Sequence, residues 1–248
     1  EKIDFLGFHG QTIYHNSLEK ISKQIGDANL LSQLTKKNVI YNFRQNDIKN
    51  GGEGAPLTPI FHKLISKQKK IKTPLCILNI GGISNITIIE SNNENDFSSR
   101  DIGPGNCLID LWIRKNSEKQ FDKNGDLAAR GTSNEIILEQ GQELYVNRPN
   151  KTSLSFDVND FDVSFVRGLS LEDGAATLTQ FTGKIISSSL LNLLYKQTKK
   201  NFKVLISGGG RKNKTLVDIL KKMTSNKISI ELIDNYGVDG DYVESQAF

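Results

Sequence analysis

Apolar positions along the chain alternate between two rhythms. Short β-branched or aromatic runs, as in residues 3–8, 38–42 and 203–206, read as strands. Segments with apolar residues three and four apart read as helices. The densest run is Cys76-Ile77-Leu78-Asn79-Ile80-Gly81-Gly82-Ile83-Ser84-Asn85-Ile86-Thr87-Ile88-Ile89, which predicts strand, tight turn, strand. A second glycine-rich turn, Ser207-Gly208-Gly209-Gly210-Arg211-Lys212-Asn213, follows another apolar strand. Leu216, Ile219 and Leu220 come after it at helical spacing, which puts three glycines at a helix N-terminus.

Helical patterns are expected over residues 24–36, with Ile25, Leu30, Leu31 and Leu34 on one side, and over 59–66 and 107–115. Ser133 is placed to cap a further helix to about Tyr145. Residues 171–199 form the longest helical pattern, with a break expected near Gly183. Residues 51–59 hold three glycines and two prolines, a composition that marks a loop. Residues 90–99 read as a charged loop, 147–166 as mostly loop, and 227–232 as a strand. Asp239-Gly240-Asp241 then leads into a last helix. Paired strands followed by alternating strands and helices predict an α/β fold with a mixed sheet. A lysine-rich connector ending at Pro74 divides the chain into residues 1–74 and 75–248.

The totals narrow the function classes. Hydrophobic content of 37% and charged content of 24% describe a soluble globular protein. The formal charge of +4 comes from scattered lysines without interleaved aromatics, which argues against a nucleic-acid partner. There is no apolar run long enough for a membrane span. Cys76 and Cys107 read as buried free thiols, consistent with a reducing, cytoplasmic setting, and the three histidines lack zinc spacing. The chain has no initiator Met, opens into a strand and stops in a helical pattern, so it reads as a fragment.

The glycine turns carry the first chemical hint. Backbone N–H groups at such turns, and at helix N-termini, seat phosphates, and two in one chain suggest a nucleotide gripped from two sides; a lone Gly-Gly pair also fits an ordinary hairpin. Neither a G-x-G-x-x-G fingerprint nor a Walker A motif is present. Asp47, expected just beyond a strand end and beside the glycine loop, is a candidate general base, although an exposed loop Asp fits the position equally. Asp101 is a nucleotide-site candidate or a cap for the helix at Asn106. Glu244 is a site or a surface carboxylate. His9 is a hydrogen-bond donor to substrate or a turn residue, and Arg44 is a candidate partner for a carboxylate or phosphate. Phe121-Asp122-Lys123-Asn124-Gly125-Asp126 lacks the alternating carboxylates of a calcium loop.

Taken together and in order, the motifs resemble those of the anhydro-N-acetylmuramic acid kinase family. They are His9-Gly10-Gln11-Thr12; Phe43-Arg44-x-x-Asp47 with Gly51-Gly52-x-Gly54-Ala55-Pro56-Leu57; Leu78-Asn79-Ile80-Gly81-Gly82-Ile83-Ser84-Asn85; Asp101-x-Gly103-Pro104-Gly105-Asn106; Phe121-Asp122-Lys123-Asn124-Gly125; Ser207-Gly208-Gly209-Gly210-x-x-Asn213; and Asp239-Gly240-Asp241-x-x-Glu244. The resemblance implies a two-lobed RNase H-like (actin-like ATPase) fold with mixed sheets flanked by helices. It implies an enzyme that uses ATP, Mg2+ and water to open the 1,6-anhydro ring of an amino sugar and phosphorylate O6, in cell-wall recycling. By the same resemblance Asp47 is the general base, and His9, Gln11, Arg44 and Glu244 line the sugar site. Gly81, Gly82, Asn85, Asp101, Gly103, Gly105, Asn106, Gly208, Gly209 and Gly210 bind nucleotide. No metal ligand is assigned, and a homodimer is a possible assembly. A non-catalytic nucleotide-binding module of the same superfamily is the alternative.

Two departures qualify the match. The family's first phosphate loop, Gly-Thr-Ser-x-Asp-Gly, is absent because the chain begins after it, so the first lobe is expected to be incomplete and the fragment alone inactive. Residues 148–153 follow the family's Pro-Pro-Lys-Ser pattern only loosely.

Overall fold

A computed structural model describes residues 2–16, 19–93, 96–147, 156, 158, 161–197, 202–224 and 228–247. The chain forms two compact units, Glu1–Phe61 with Glu244–Phe248, and His62–Val243. Residues 62–74, expected with the first lobe, therefore fall in the second unit.

In the first unit, β1 (Phe5–Phe8) pairs in parallel with β4 (Asn38–Tyr41), while β2 (Gln11–Asn16) and β3 (Ile21–Ile25) form an antiparallel hairpin. The helix expected from residue 24 instead begins four residues later, as α1 (Ala28–Thr35). Ile25 belongs to β3, and Gly26 breaks the pattern with φ 129°. Asp27 then caps the helix by accepting from the Leu30 N–H at 2.9 Å. Asn42, in the left-handed region at φ 61°, turns β4 directly into α2 (Phe43–Lys49). Asp47 thus lies on a helix, not on a loop past a strand end. Several apolar side chains of this unit are exposed, among them Phe5, Ile40 and Leu34.

The helix α3 (Thr58–Gln68) runs through the junction. Beyond it the second unit is built on a five-stranded sheet in the order β7-β6-β5-β8-β9. At its centre β5 (Leu75–Ile80) is buried at all six positions, antiparallel to β6 (Ile83–Ile89) and parallel to β8 (Phe202–Ser207). The edges are β7 (Phe97–Pro104), antiparallel to β6, and β9 (Ile228–Leu232), parallel to β8. This is the expected mixed sheet. The sequence reading missed β7, taking its first three residues into the 90–99 loop and placing no strand over the rest.

Helices flank the sheet. Cys76, Leu78 and Ile80 pack into one core with Ile186 and Leu190 of α7 (Leu171–Gln197) and Leu216 and Leu220 of α8 (Lys214–Thr224). On the other face the buried His62 of α3 bonds Thr87 through Nδ1 at 2.8 Å, and Thr87 is the cross-strand partner of Ile77. A second core gathers Leu108 and Trp112 of α4 (Cys107–Asn116), Leu127 of α5 (Asp126–Arg130), Leu138 of α6 (Glu135–Asn147), and Leu178 and Phe181 of α7. Helix α7 is unbroken at Gly183, contrary to expectation. A Cβ there would lie 2.4 Å from Cγ2 of Ile219, so the glycine lets α8 pack closely. The cap of α6 is Asn134, which accepts from the Ile137 N–H at 3.1 Å, rather than Ser133. The chain ends in α9 (Val243–Ala247).

Candidate functional site

Asp47 is held by the glycine loop that follows its helix. Its Oδ2 accepts from the Gly54 N–H at 2.7 Å, and its carbonyl accepts from the Gly52 N–H at 2.9 Å. Gly54 has φ 74°, a left-handed conformation that suits glycine, and it folds over Ile48. The loop turns back on the helix and fixes the carboxylate.

Arg44, one helical turn before Asp47, closes the same loop from the other side. Its Nη1 donates to the Gly54 carbonyl at 2.8 Å, and its Nε donates to His9 Nε2 at 2.8 Å. Because a guanidinium is only a donor, His9 Nε2 must accept. The ring proton therefore sits on Nδ1, which donates to the Gly10 carbonyl at 2.7 Å. Burial lowers the Arg44 pKa, and the charge of Glu244 in the first turn of α9 acts the other way. Four of the residues expected from sequence, His9, Arg44, Asp47 and Glu244, are thus brought together. Gln11 opens β2 and turns its amide onto the Thr12 carbonyl at 3.3 Å. His15 and Glu53 were missed. Burial, then the Arg44 charge, lowers the His15 pKa, with Glu53 opposing.

In the second unit the Gly81-Gly82 turn packs on the start of α4. The Gly81 carbonyl accepts from the Asn106 N–H at 2.8 Å, and the Gly82 carbonyl from Gly105 and Cys107 at 2.9 and 3.1 Å. These bonds satisfy donors at a helix N-terminus that would otherwise lack partners. Gly105 must be small, since a Cβ would lie 2.3 Å from the Gly81 oxygen. Asp101 does not cap α4. It sits in β7 opposite Asn85 and accepts from the Phe156 N–H at 2.9 Å, while burial raises its pKa. Gly103 makes room for Ile185 of α7.

The three glycines after β8 divide their work. Gly208, at φ 79°, carries the turn past Asn79 and Ile80, and Gly210 packs on Ile80. Gly209 is exposed and lines a cavity of about 540 Å³ together with Asn106, Asp110, Arg114, Lys212 and Asn213. The α-helix begins later than expected: residues Gly209–Lys212 form a 3-10 turn, and Asn213 caps α8 by accepting from the Leu216 N–H at 3.0 Å. Among the lining residues, Asp110 and Arg114 were missed, although their i, i+4 spacing on one helix is a visible signal. Burial pushes the Asp110 carboxyl up to about 6, with Arg114 opposing and Asp122 adding to the shift. Asp122 itself caps α5, accepting from the Leu127 and Ala128 N–H groups at 2.8 and 2.9 Å.

The buried Arg211 ties the glycine turn to the loop before α9. It bonds Asp234 through Nε and Nη2 at 2.8 and 3.1 Å, Asp241 at 2.6 Å, and the Gly208 carbonyl at 3.1 Å. Gly240 lies against the guanidinium, where a Cβ would meet Nε at 2.4 Å. Burial alone would lower the Arg211 pKa, but the hydrogen bonds it donates to Asp234 and Asp241 raise it. Residues 148–153 lie outside the described residues. Among the described residues no cluster of three metal-ligating side chains occurs, and no helix is long and apolar enough to cross a membrane.

Comparison with known proteins accounts for the whole chain. The family model described as anhydro-N-acetylmuramic acid kinase matches residues 1–248. An anhydro-N-acetylmuramic acid kinase of Pelagibacter ubique is 53% identical over 246 residues, covering 99% of this chain and 66% of that protein. One from Zymomonas mobilis is 37% identical over 250 residues, covering 100% of this chain and 65% of that protein. The chain thus spans about two thirds of the length of these relatives. A looser structural likeness, with TM-score 0.48 and 15% identity, is to an activator of 2-hydroxyisocaproyl-CoA dehydratase from Clostridium difficile with bound ADPNP; it covers 98% of this chain and 94% of that one. From the match along its full length, the chain belongs to the anhydro-N-acetylmuramic acid kinase family.

Proposed function

We propose that this chain is the greater part of an ATP-dependent kinase acting on anhydro-N-acetylmuramic acid. The observation that carries the reading is the fixing of Asp47, the residue that the motif resemblance makes the general base, by its own glycine loop. In this reading the first unit supplies the base and the sugar contacts, and the second supplies the nucleotide contacts.

Asp47 accepts a proton from a water molecule as the water oxygen attacks the anomeric carbon. The bond from that carbon to the bridging oxygen breaks. That oxygen, O6, takes the γ-phosphoryl group of ATP, and ADP leaves. Water supplies the new anomeric hydroxyl, and the proton on Asp47 passes to solvent. The product is N-acetylmuramic acid 6-phosphate, a reaction suited to cell-wall recycling in the cytoplasm.

The cavity at Gly209 supports the nucleotide assignment. It is open at the one glycine of the three not pressed against its neighbours, and Lys212 and Arg114 bring positive charge to it. Gly81 and Gly82, beside β6, are the residues assigned to the phosphates. A magnesium ion in such a reaction neutralises phosphate charge and keeps most of its ligands as phosphate and water, so a cage of side chains is not required. No residue here is assigned to it.

The test is sugar-dependent ADP release by the full-length protein supplied with ATP, magnesium and the anhydro sugar. ATP binding without any sugar-dependent turnover would instead favour a non-catalytic nucleotide-binding module.

A further inference from the structure

We propose that Arg44 is a positioning residue for Asp47 and not a contact to the sugar. The inference rests on the reading of Asp47 as the base. Its ground is Gly54, whose N–H and carbonyl, in the two peptide groups that flank its Cα, are both held. The Gly54 N–H donates to Asp47 Oδ2 at 2.7 Å, and the Gly54 carbonyl accepts from Arg44 Nη1 at 2.8 Å. Whatever holds Gly54 in place holds the N–H that fixes the carboxylate. A second edge of the same guanidinium is committed to His9 Nε2 at 2.8 Å, and His9 is pinned to the Gly10 carbonyl at 2.7 Å. Gly10, at φ 73°, is itself wedged against β3, since a Cβ there would lie 2.7 Å from the Ile25 oxygen.

The order of contacts is therefore β3, Gly10, His9, Arg44, Gly54, Asp47. Each link is a hydrogen bond or a close packing contact within the first unit. Two donors of one planar fork fixed at right positions make the guanidinium a brace, a task for which a lysine ammonium has the charge but not the geometry. The half-buried setting of Arg44 fits a group that works inside the protein. A brace of this kind acts on the rate, because a base displaced by about 1 Å from its water costs on the order of a hundredfold.

The test uses the full-length enzyme and follows kcat and the sugar KM separately. For Arg44→Ala the expectation is a kcat lower by about a hundredfold with the sugar KM changed by less than about threefold, since a lost positioning contact is read in the transition state. Guanidinium added at concentrations far below denaturing ones should restore part of the rate. Arg44→Lys, which keeps the charge and the fold more securely, should show the same split at a smaller size, and it decides the matter if the alanine variant does not fold. A raised sugar KM with kcat preserved would overturn the inference and make Arg44 a substrate contact. No change in either constant would overturn it too. Asp47→Asn run in parallel separates the two claims: if that variant keeps its rate, the base has been misassigned, whatever Arg44 does.

Discussion

Gly52 lies directly beneath the Asp47 carboxylate: a Cβ on Gly52 would come within 2.2 Å of Oδ2 and 2.5 Å of Cγ. The contact explains a glycine that needs no unusual backbone, since its φ is not positive. Any side chain here must displace the carboxylate or open the loop. Gly52→Ala is therefore expected to lower kcat by roughly a hundredfold through displacement of the base. The melting temperature should move little, because the site is a loop next to a half-buried side chain. An alanine variant with normal turnover would show that the carboxylate tolerates displacement and does not act as the base.

Asp47→Asn tests the base itself. The amide keeps the size of the carboxylate and an oxygen to accept from Gly54, but it cannot take a proton. Turnover should fall by about a hundredfold or more, as for loss of a general base. Nucleotide affinity, measured by calorimetry, should stay within a few-fold. Survival of activity would move the base elsewhere.

Much of this architecture is legible in the residue pattern, and the failures share a cause. The central β5 and β6 pair and β8 announce themselves through apolar runs, because both faces of those strands are covered. The hairpin of β2 and β3 does not, since Gln11, Thr12, His15, Ser22, Lys23 and Gln24 mix polar residues on both faces. β7 hides for a similar reason: it is an edge strand with Ser98, Ser99, Arg100 and Asp101. Helix α2 is short, and Asn46 and Asp47 at its centre are weak helix formers, so its pattern carries little helical signal. Asp47 is marked as a candidate by its motif, while the bond from Arg44 to His9, 35 residues away in sequence, is one that no local pattern reports. Asp110 and Arg114 are visible as an i, i+4 pair, but nothing local links α4 to Gly209 and so to the cavity they line.

Acid should loosen the Arg211 junction. Hydrogen bonds from Arg211 hold Asp234 below the usual carboxylate range, and those from Arg211 and then Lys212 lower Asp241 to about 2. A carboxyl with a depressed folded pKa contributes stability above its unfolded value, near 4, and loses it as pH falls toward the folded value. Thermal melts between about pH 5 and pH 2 should therefore show a loss that Asp241→Asn makes shallower. Arg211→Met should destabilise by about 2–3 kcal/mol at neutral pH, the scale of hydrogen bonds to charged groups. An unchanged melt for that variant would mean the cluster is only a surface network.

Asp110 gives the opposite sign. Burial pushes its carboxyl up to about 6, with Arg114 opposing and Asp122 reinforcing. The folded state holds this proton more tightly than the unfolded chain does, so its contribution to stability is full below about pH 4 and is lost as pH rises through about 6. Asp110→Asn should accordingly be more stable than the parent at pH 7.5, with the difference closing toward pH 4. The same ionisation adds a negative charge to the cavity at Gly209, beside Arg114 and Lys212. If nucleotide sits there, affinity for ADP should weaken as pH rises from about 5 to 7, and the asparagine variant should flatten that dependence. Comparing variant and parent at each pH removes the titration of the nucleotide's own phosphates. Parallel curves for the two proteins would place the nucleotide away from Asp110, and with it away from this cavity.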